Sequence, residues 1–263
     1  MTLNPYNYNT MKKVILLAVS AAAMLFAQGA KAQTNLQIFY DFGSDRQHVT
    51  TTLEGFYNDN WGNTFFFIDY DYNGKDAHNK NVAPSSTYFE IARCLNFWQD
   101  SALGALSLQV EYNGGLGLGY GINHAFLGGF DYFLHSADFS NTFNFKVLYK
   151  KILGATQQAP LQFTFVWGMQ DIFGVKGLRF SGFADFWWED HFGPGSYVYD
   201  HNGTVIPTES HTVFISEPQL WYNIGQHFGC DNLNIGGEVE LAYDFASAKG
   251  FWARPCAGLK WVF

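Results

Sequence analysis

Beyond its first thirty residues the chain alternates apolar and polar positions in short stretches separated by Gly, Asn, Asp and Ser clusters, the period of two expected of half-buried strands. Three stretches carry it most cleanly. Leu106, Leu108, Val110 and Tyr112 oppose Ser107, Gln109, Glu111 and Asn113; Phe143, Phe145, Val147 and Tyr149 oppose Asn144, Lys146 and Lys150; and Leu233, Ile235, Val239, Leu241 and Tyr243 oppose Asn234, Glu238, Glu240 and Asp244. The pattern predicts twelve strands at 35–43, 48–58, 61–73, 86–98, 106–113, 122–134, 141–151, 161–170, 178–189, 212–224, 233–244 and 250–263. An even number returns both ends of the sheet to one side. In the last stretch Phe251, Ala253, Pro255, Ala257, Leu259, Trp261 and Phe263 share one face, and Trp252, Arg254, Gly258 and Lys260 the other.

A sheet protein of this kind is either a sandwich with an apolar core or a membrane barrel turned inside out, and composition separates the two. Aromatic residues make up 19% of the chain and charged residues only 14%, yet the aromatics are interleaved with polar positions rather than gathered into apolar runs. No later stretch reaches the about 18 apolar residues of a spanning helix, so a membrane location requires a closed barrel, whose backbone groups are all paired internally. The expected fold is all-β: a single twelve-stranded antiparallel transmembrane barrel over 33–263. The two longest connections, 74–85 and 190–211, fall on the same end by parity, the arrangement of outer-membrane barrels with long external loops. One position resists the scheme. Arg93 shares the phase of Phe89, Ile91, Leu95 and Phe97, which calls for a bulge or for an arginine that snorkels to the interface.

Ahead of the barrel, residues 1–32 read as a signal peptide. Lys12 and Lys13 form its basic region, 14–26 its apolar region, and Ala30-Lys31-Ala32 a small-x-small cleavage site, with Met11 as the expected initiator. A net charge of -8 with no basic patch excludes a nucleic-acid partner. Cys94, Cys230 and Cys256 have neither metal-site nor disulfide-framework spacing, and no metal or cofactor is expected. The glycine-rich 115–121 lacks the strand-turn-helix context of a nucleotide cradle and is expected to be a flexible loop. Glu189, Asp190, His191, Asp200 and His201 could hold a cation in the longest loop, though a solvated loop is the simpler reading.

The polar phase supplies the candidate lumen. Asp69, Asp71, Glu111, Asp185, Glu189, Glu217, Glu238 and Glu240 bring carboxylates, and Lys146, Lys150, Arg179, Arg254 and Lys260 bring cations that can pair with them. Phe39, Phe65, Phe67, Phe183, Trp187 and Trp221 put aromatic rings in the same phase. Flat rings facing a pore either stack a flat solute, a nucleobase or a sugar, or pack together as a plug.

Several short motifs add a resemblance. Phe42-Gly43, Glu54-x-Phe56 ahead of Trp61, and Phe65-Phe66-Phe67-Ile68-Asp69 resemble the amino-terminal third of the Tsx-type nucleoside-specific channels; Glu217-Pro218-Gln219-Leu220 and Lys260-Trp261-Val262-Phe263 are similar to that superfamily's later strands. The whole looks closest to a branch found in Bacteroides-type bacteria. The resemblance implies a monomeric outer-membrane barrel with a narrow pore passing nucleosides without energy input, with Phe42 and Gly43 on the path and Glu54 facing the lumen. It also implies that the aromatic end of the closing strand, Phe263, is read by the barrel assembly machinery. The expected solute path is Phe42, Gly43, Glu54, Phe65, Phe67, Asp69, Trp187, Glu217 and Trp221, beside partners that are small solutes and membrane lipid. Two other classes compete: a structural or adhesive barrel that transports nothing, and a lipid-modifying enzyme built around His124 or His211.

Overall fold

A computed structural model describes residues 32–75, 81–118, 120–189, 198–199, 205–206, 212–246 and 248–263. Residues 1–31, which hold most of the expected signal peptide, lie outside it, as do His191, Asp200, His201 and His211. The strands are β1 (Ala32–Asp41), β2 (Val49–Asp59), β3 (Gly62–Tyr72), β4 (Ser86–Leu95), β5 (Leu106–Gly117), β6 (Tyr120–His135), β7 (Asn141–Ile152), β8 (Leu161–Gln170), β9 (Leu178–Trp188), β10 in two pieces (Thr212–Ser216 and Gln219–Tyr222), β11 (Leu233–Tyr243) and β12 (Phe251–Val262). Each pairs antiparallel with its neighbours in sequence. β12 then pairs with β1, from Asn35 opposite Val262 to Asp41 opposite Cys256, which closes a twelve-stranded barrel and removes the sheet edges.

The period of two sets inside from outside. Along β12, Phe251, Ala253, Pro255, Ala257, Leu259 and Trp261 are exposed, while Trp252, Arg254 and Lys260 are buried. The same alternation puts Ile38, Val110, Phe130, Phe145, Tyr149, Phe163, Ile235 and Leu259 on the outer surface. Exposed apolar and aromatic side chains all around the wall, with charge inside, make this an outer-membrane-type barrel. Ala32 and Phe263 lie at one end; Tyr72 and Ser86, and Trp188 and Thr212, the strand ends that flank the two longest connections, lie at the other, as the parity argument required.

Arg93 keeps the outward phase without a bulge. β3 and β4 pair in unbroken register, and the guanidinium reaches along the wall to Thr64 Oγ1 at 3.1 Å and to Asp59 Oδ1 at 2.8 Å beside the tight 60–61 turn. It snorkels. The glycine run differs from expectation: β5 continues to Gly117 and β6 begins at Tyr120, so most of it is strand rather than loop. The register shifts between Asn113 and Gly115, and a Cβ on Gly115 would lie 2.2 Å from the Thr87 carbonyl oxygen, so glycine there permits a bulged, close-packed wall. Pro218 divides β10, because it has no N–H to give the ladder.

Candidate functional site: the lumen

The inward phase lines a continuous cavity of about 2660 Å³. All eight carboxylates and all five cations expected from the polar phase line it, as do the six aromatics. Of the expected solute path, Glu54, Phe65, Phe67, Asp69, Trp187, Glu217 and Trp221 are on the lumen surface. Phe42 is not. It is 56% exposed and its ring sits edge-on to Tyr40, because it continues the outward phase of Leu36, Ile38 and Tyr40. Gly43 lies behind the lining, its N–H bonded to Asp41 Oδ1 at 2.6 Å, and a Cβ added to it would come within 3.0 Å of Arg254 Cγ.

Three arrangements divide the surface. At the long-loop end the 42–48 connection folds inward onto an ion-pair network. Arg254, 2% exposed, reaches Glu240 and places its Nη2 2.7 Å from Asp45 Oδ2. Arg46 bonds Glu240 Oε2 at 2.7 Å and approaches Asp41 at 3.4 Å. In this connection burial pushes the Asp45 carboxyl up, but the hydrogen bond and charge of Arg254 outweigh it and hold it below its ordinary value.

Both tryptophans are covered. Trp221 is 1% exposed: Phe39 lies 5.5 Å away centroid to centroid, Lys260 Nζ sits 4.3 Å above the ring, and the indole N–H bonds Gln219 Oε1 at 2.9 Å. The reason is in the register. Phe39 faces Gly258, Gly258 faces Gly236 and Gly236 faces Trp221, so two residues without side chains leave the rings room to lean together. Trp187, 6% exposed, lies under Lys150 Nζ at 3.8 Å, bonds Glu189 at 2.9 Å and packs with Leu148, Val213 and Ile215 in a small dry core inside the barrel. Neither offers an open face, which corrects the expectation that they stack a solute.

Across the lumen the wall from β1 to β5 is different. Asn35 pairs with Glu54, Glu54 with Phe67, Phe67 with Glu90 and Glu90 with Asn113, an Asn-Glu-Phe-Glu-Asn row on five successive strands. Asn35 Nδ2 donates to Glu54 Oε1 at 2.8 Å, and Asn113 Nδ2 to Glu90 Oε1 at 3.0 Å. Tyr88 also donates to Glu90, at 2.6 Å, and its ring flanks Phe67 at 5.9 Å; Thr52 bonds Asp69 at 2.5 Å. Phe67 is partly exposed between the two carboxylates. Sequence reasoning missed Glu90 and Asn35, though it put Asn113 in the polar phase. The signal was there, since Glu90 alternates with Phe89 and Ile91.

His124 is exposed on the outward face, stacked on Tyr112 and hydrogen-bonded to its hydroxyl. It is not in the lumen. Among the described residues no set of three or more His, Cys, Asp and Glu converges to hold a metal ion, and the three cysteines are free.

The model of the family described as "Domain of unknown function (DUF5020)" matches residues 32–263. The chain belongs to the DUF5020 family. No curated protein matches this DUF5020 chain in sequence. Among solved structures it is similar to the NanC porin, with a TM-score of 0.51 and 7% identity over 86% of this chain and 97% of that one. It is also similar to the KdgM porin, with a TM-score of 0.46 and 9% identity over 88% and 99% of the two chains. A BenF-like porin from Pseudomonas fluorescens Pf-5 gives 0.42 and 8% over 90% and 99%. At these identities the NanC likeness speaks for the fold alone, and it agrees with the barrel built here from the residues.

Proposed function

We propose that this DUF5020 barrel is an outer-membrane channel through which small hydrophilic solutes diffuse passively, and that nucleosides, the cargo implied by the Tsx-type resemblance, are among them. The observation that carries the reading is the Asn35-Glu54-Phe67-Glu90-Asn113 row on the wall of a polar cavity. Phe67 gives a base a face to stack on, worth about 1 to 3 kcal/mol, and the flanking carboxylates accept from ribose hydroxyls. A channel must release what it binds, so block in the millimolar to sub-millimolar range is expected, about 4 to 6 kcal/mol. The long-loop end faces the exterior and the termini the periplasm. Closure of the sheet within one chain lets the barrel work as a monomer. Phe263 forms the end of the closing strand, its N–H bonded to the Thr34 carbonyl at 2.9 Å, where the assembly machinery reads it.

Reconstitution in planar bilayers tests the reading: weak conductance, reversibly reduced by adenosine or thymidine and less so by glucose. A structural or adhesive barrel gives no conductance. Phospholipid hydrolysis by the purified protein, lost on His124→Ala or His211→Ala, would favour the enzyme.

A further inference from the structure

We infer that the β1–β5 wall is a subsite for flat organic cations, with Glu54 and Glu90 recognising the charge and Phe67 the plane. The inference rests on the lumen being the solute path, and it narrows the cargo: of two flat solutes, the one bearing a positive charge is held more tightly.

The argument starts from hydrogen-bond supply. Around the row the donors are directed at carboxylates: Asn35 at Glu54, Asn113 and Tyr88 at Glu90, Thr52 at Asp69, and Gln109 at Glu111, the last at 2.7 Å. Gln37 gives its Nε2 to Asn35 Oδ1 at 2.8 Å. This leaves acceptors. The Oε1 of Gln37, a residue with 0% exposure, and the Oδ1 of Asn113, at 4%, have no donor at all. A buried acceptor without a donor is costly, and here two such oxygens stand at either side of the same row.

Charge adds to supply. Among the described residues Glu54, Asp69, Glu90 and Glu111 form no direct ion pair: Arg46 and Arg254 are engaged with Asp41, Asp45 and Glu240, while Arg179 and Lys260 act on Glu54, Lys150 on Glu90 and Lys146 on Glu111 only from beyond contact distance. The carboxylates are spread over four strands rather than converging, which suits an extended planar cation more than a metal ion. An amidinium or guanidinium brings in-plane N–H donors matched to carboxylates and a face that lies on an aromatic ring. A phosphate or carboxylate solute finds only acceptors here.

The test uses the intact barrel in planar bilayers with three isosteric probes: benzamidine, neutral benzamide and anionic benzoate. Benzamidine is expected to block at about tenfold lower concentration than benzamide, with benzoate weakest, the margin of one charge-assisted contact. Glu54→Gln with Glu90→Gln should bring benzamidine level with benzamide, and Phe67→Ala should weaken both probes together. Heat-modifiable migration establishes that each variant is folded; if the double variant is not, the order of the probes on the native barrel still decides. Equal block by benzamidine and benzamide, strongest block by benzoate, or an unchanged ratio in the folded double variant overturns the inference. A barrel that does not conduct is titrated calorimetrically with the same probes, and absence of benzamidine binding again overturns it. Failure of the nucleoside reading looks different: adenosine and thymidine do not block while benzamidine does.

Discussion

Phe67 and Trp221 are both inward aromatics of one barrel, and they have opposite fates. Trp221 is separated from Phe39 by two glycines, so the two rings meet across the gap and Lys260 closes over the indole. Phe67 is flanked in its row by Glu54 and Glu90, and although the tilted rings of Phe65 and Tyr88 approach it at 6.1 and 5.9 Å, it stays partly exposed. Neighbours in the hydrogen-bonded row, not the aromatic itself, decide whether a lumen ring becomes packing or a solute-facing surface. One side of the lumen is thus built for stability and the other for contact with what passes through.

The comparison breaks most readily at the stabilising side. Arg254→Met leaves Glu240 and Asp45 without their shared cation, and a loss of about 3 to 5 kcal/mol is expected in urea unfolding of the barrel in lipid vesicles. Little change in stability there would mean the network is ornament. Next, Trp221→Ala is expected to cost about 3 kcal/mol by the same measurement and to leave nucleoside block within a factor of two or so, since the ring is covered. Phe67→Ala should do the reverse, weakening block about 5- to 100-fold with the smaller effect on unfolding. If Trp221→Ala weakens block as much as Phe67→Ala does, the two walls are not distinct. Glu54→Gln is a finer probe: a neutral acceptor remains, so block by a neutral nucleoside should fall only several-fold, about 1 kcal/mol.

The smallest expected effect is one of pH. His48, in the connection ahead of β2, bonds Asp71, which raises its pKa above the ordinary 6.5 against the opposing effect of burial. A raised folded value means that His48 stabilises the inward-folded connection fully below about 6.5 and loses that contribution as pH rises through the folded value. Unfolding midpoints measured across that range should decline slightly, and His48→Gln should flatten the decline.

Much of this was legible in advance. The lumen charges were placed correctly because side-chain direction in a strand is a local property: each residue's phase follows from its neighbours two positions away. Arg93 was legible as a problem, and its resolution as a snorkelling side chain needed only the nearby Asp59. Phe42 was misplaced because the motif was carried over without its phase: it stands two positions from outward-facing Tyr40. The glycine run was misread as a loop because glycine has two uses, freedom at turns and close approach in a wall, and Gly115 serves the second.

By itself, then, the sequence determined a period-two chain with a greasy face, twelve strands, and the inward set. Those are sums of local preferences. The tertiary structure alone decided which inward groups touch. Phe39 meets Trp221 over a separation of 182 positions, Arg46 meets Glu240 over 194, and the Asn-Glu-Phe-Glu-Asn row assembles from five strands, because closing the barrel fixes a cross-strand register that no single strand encodes.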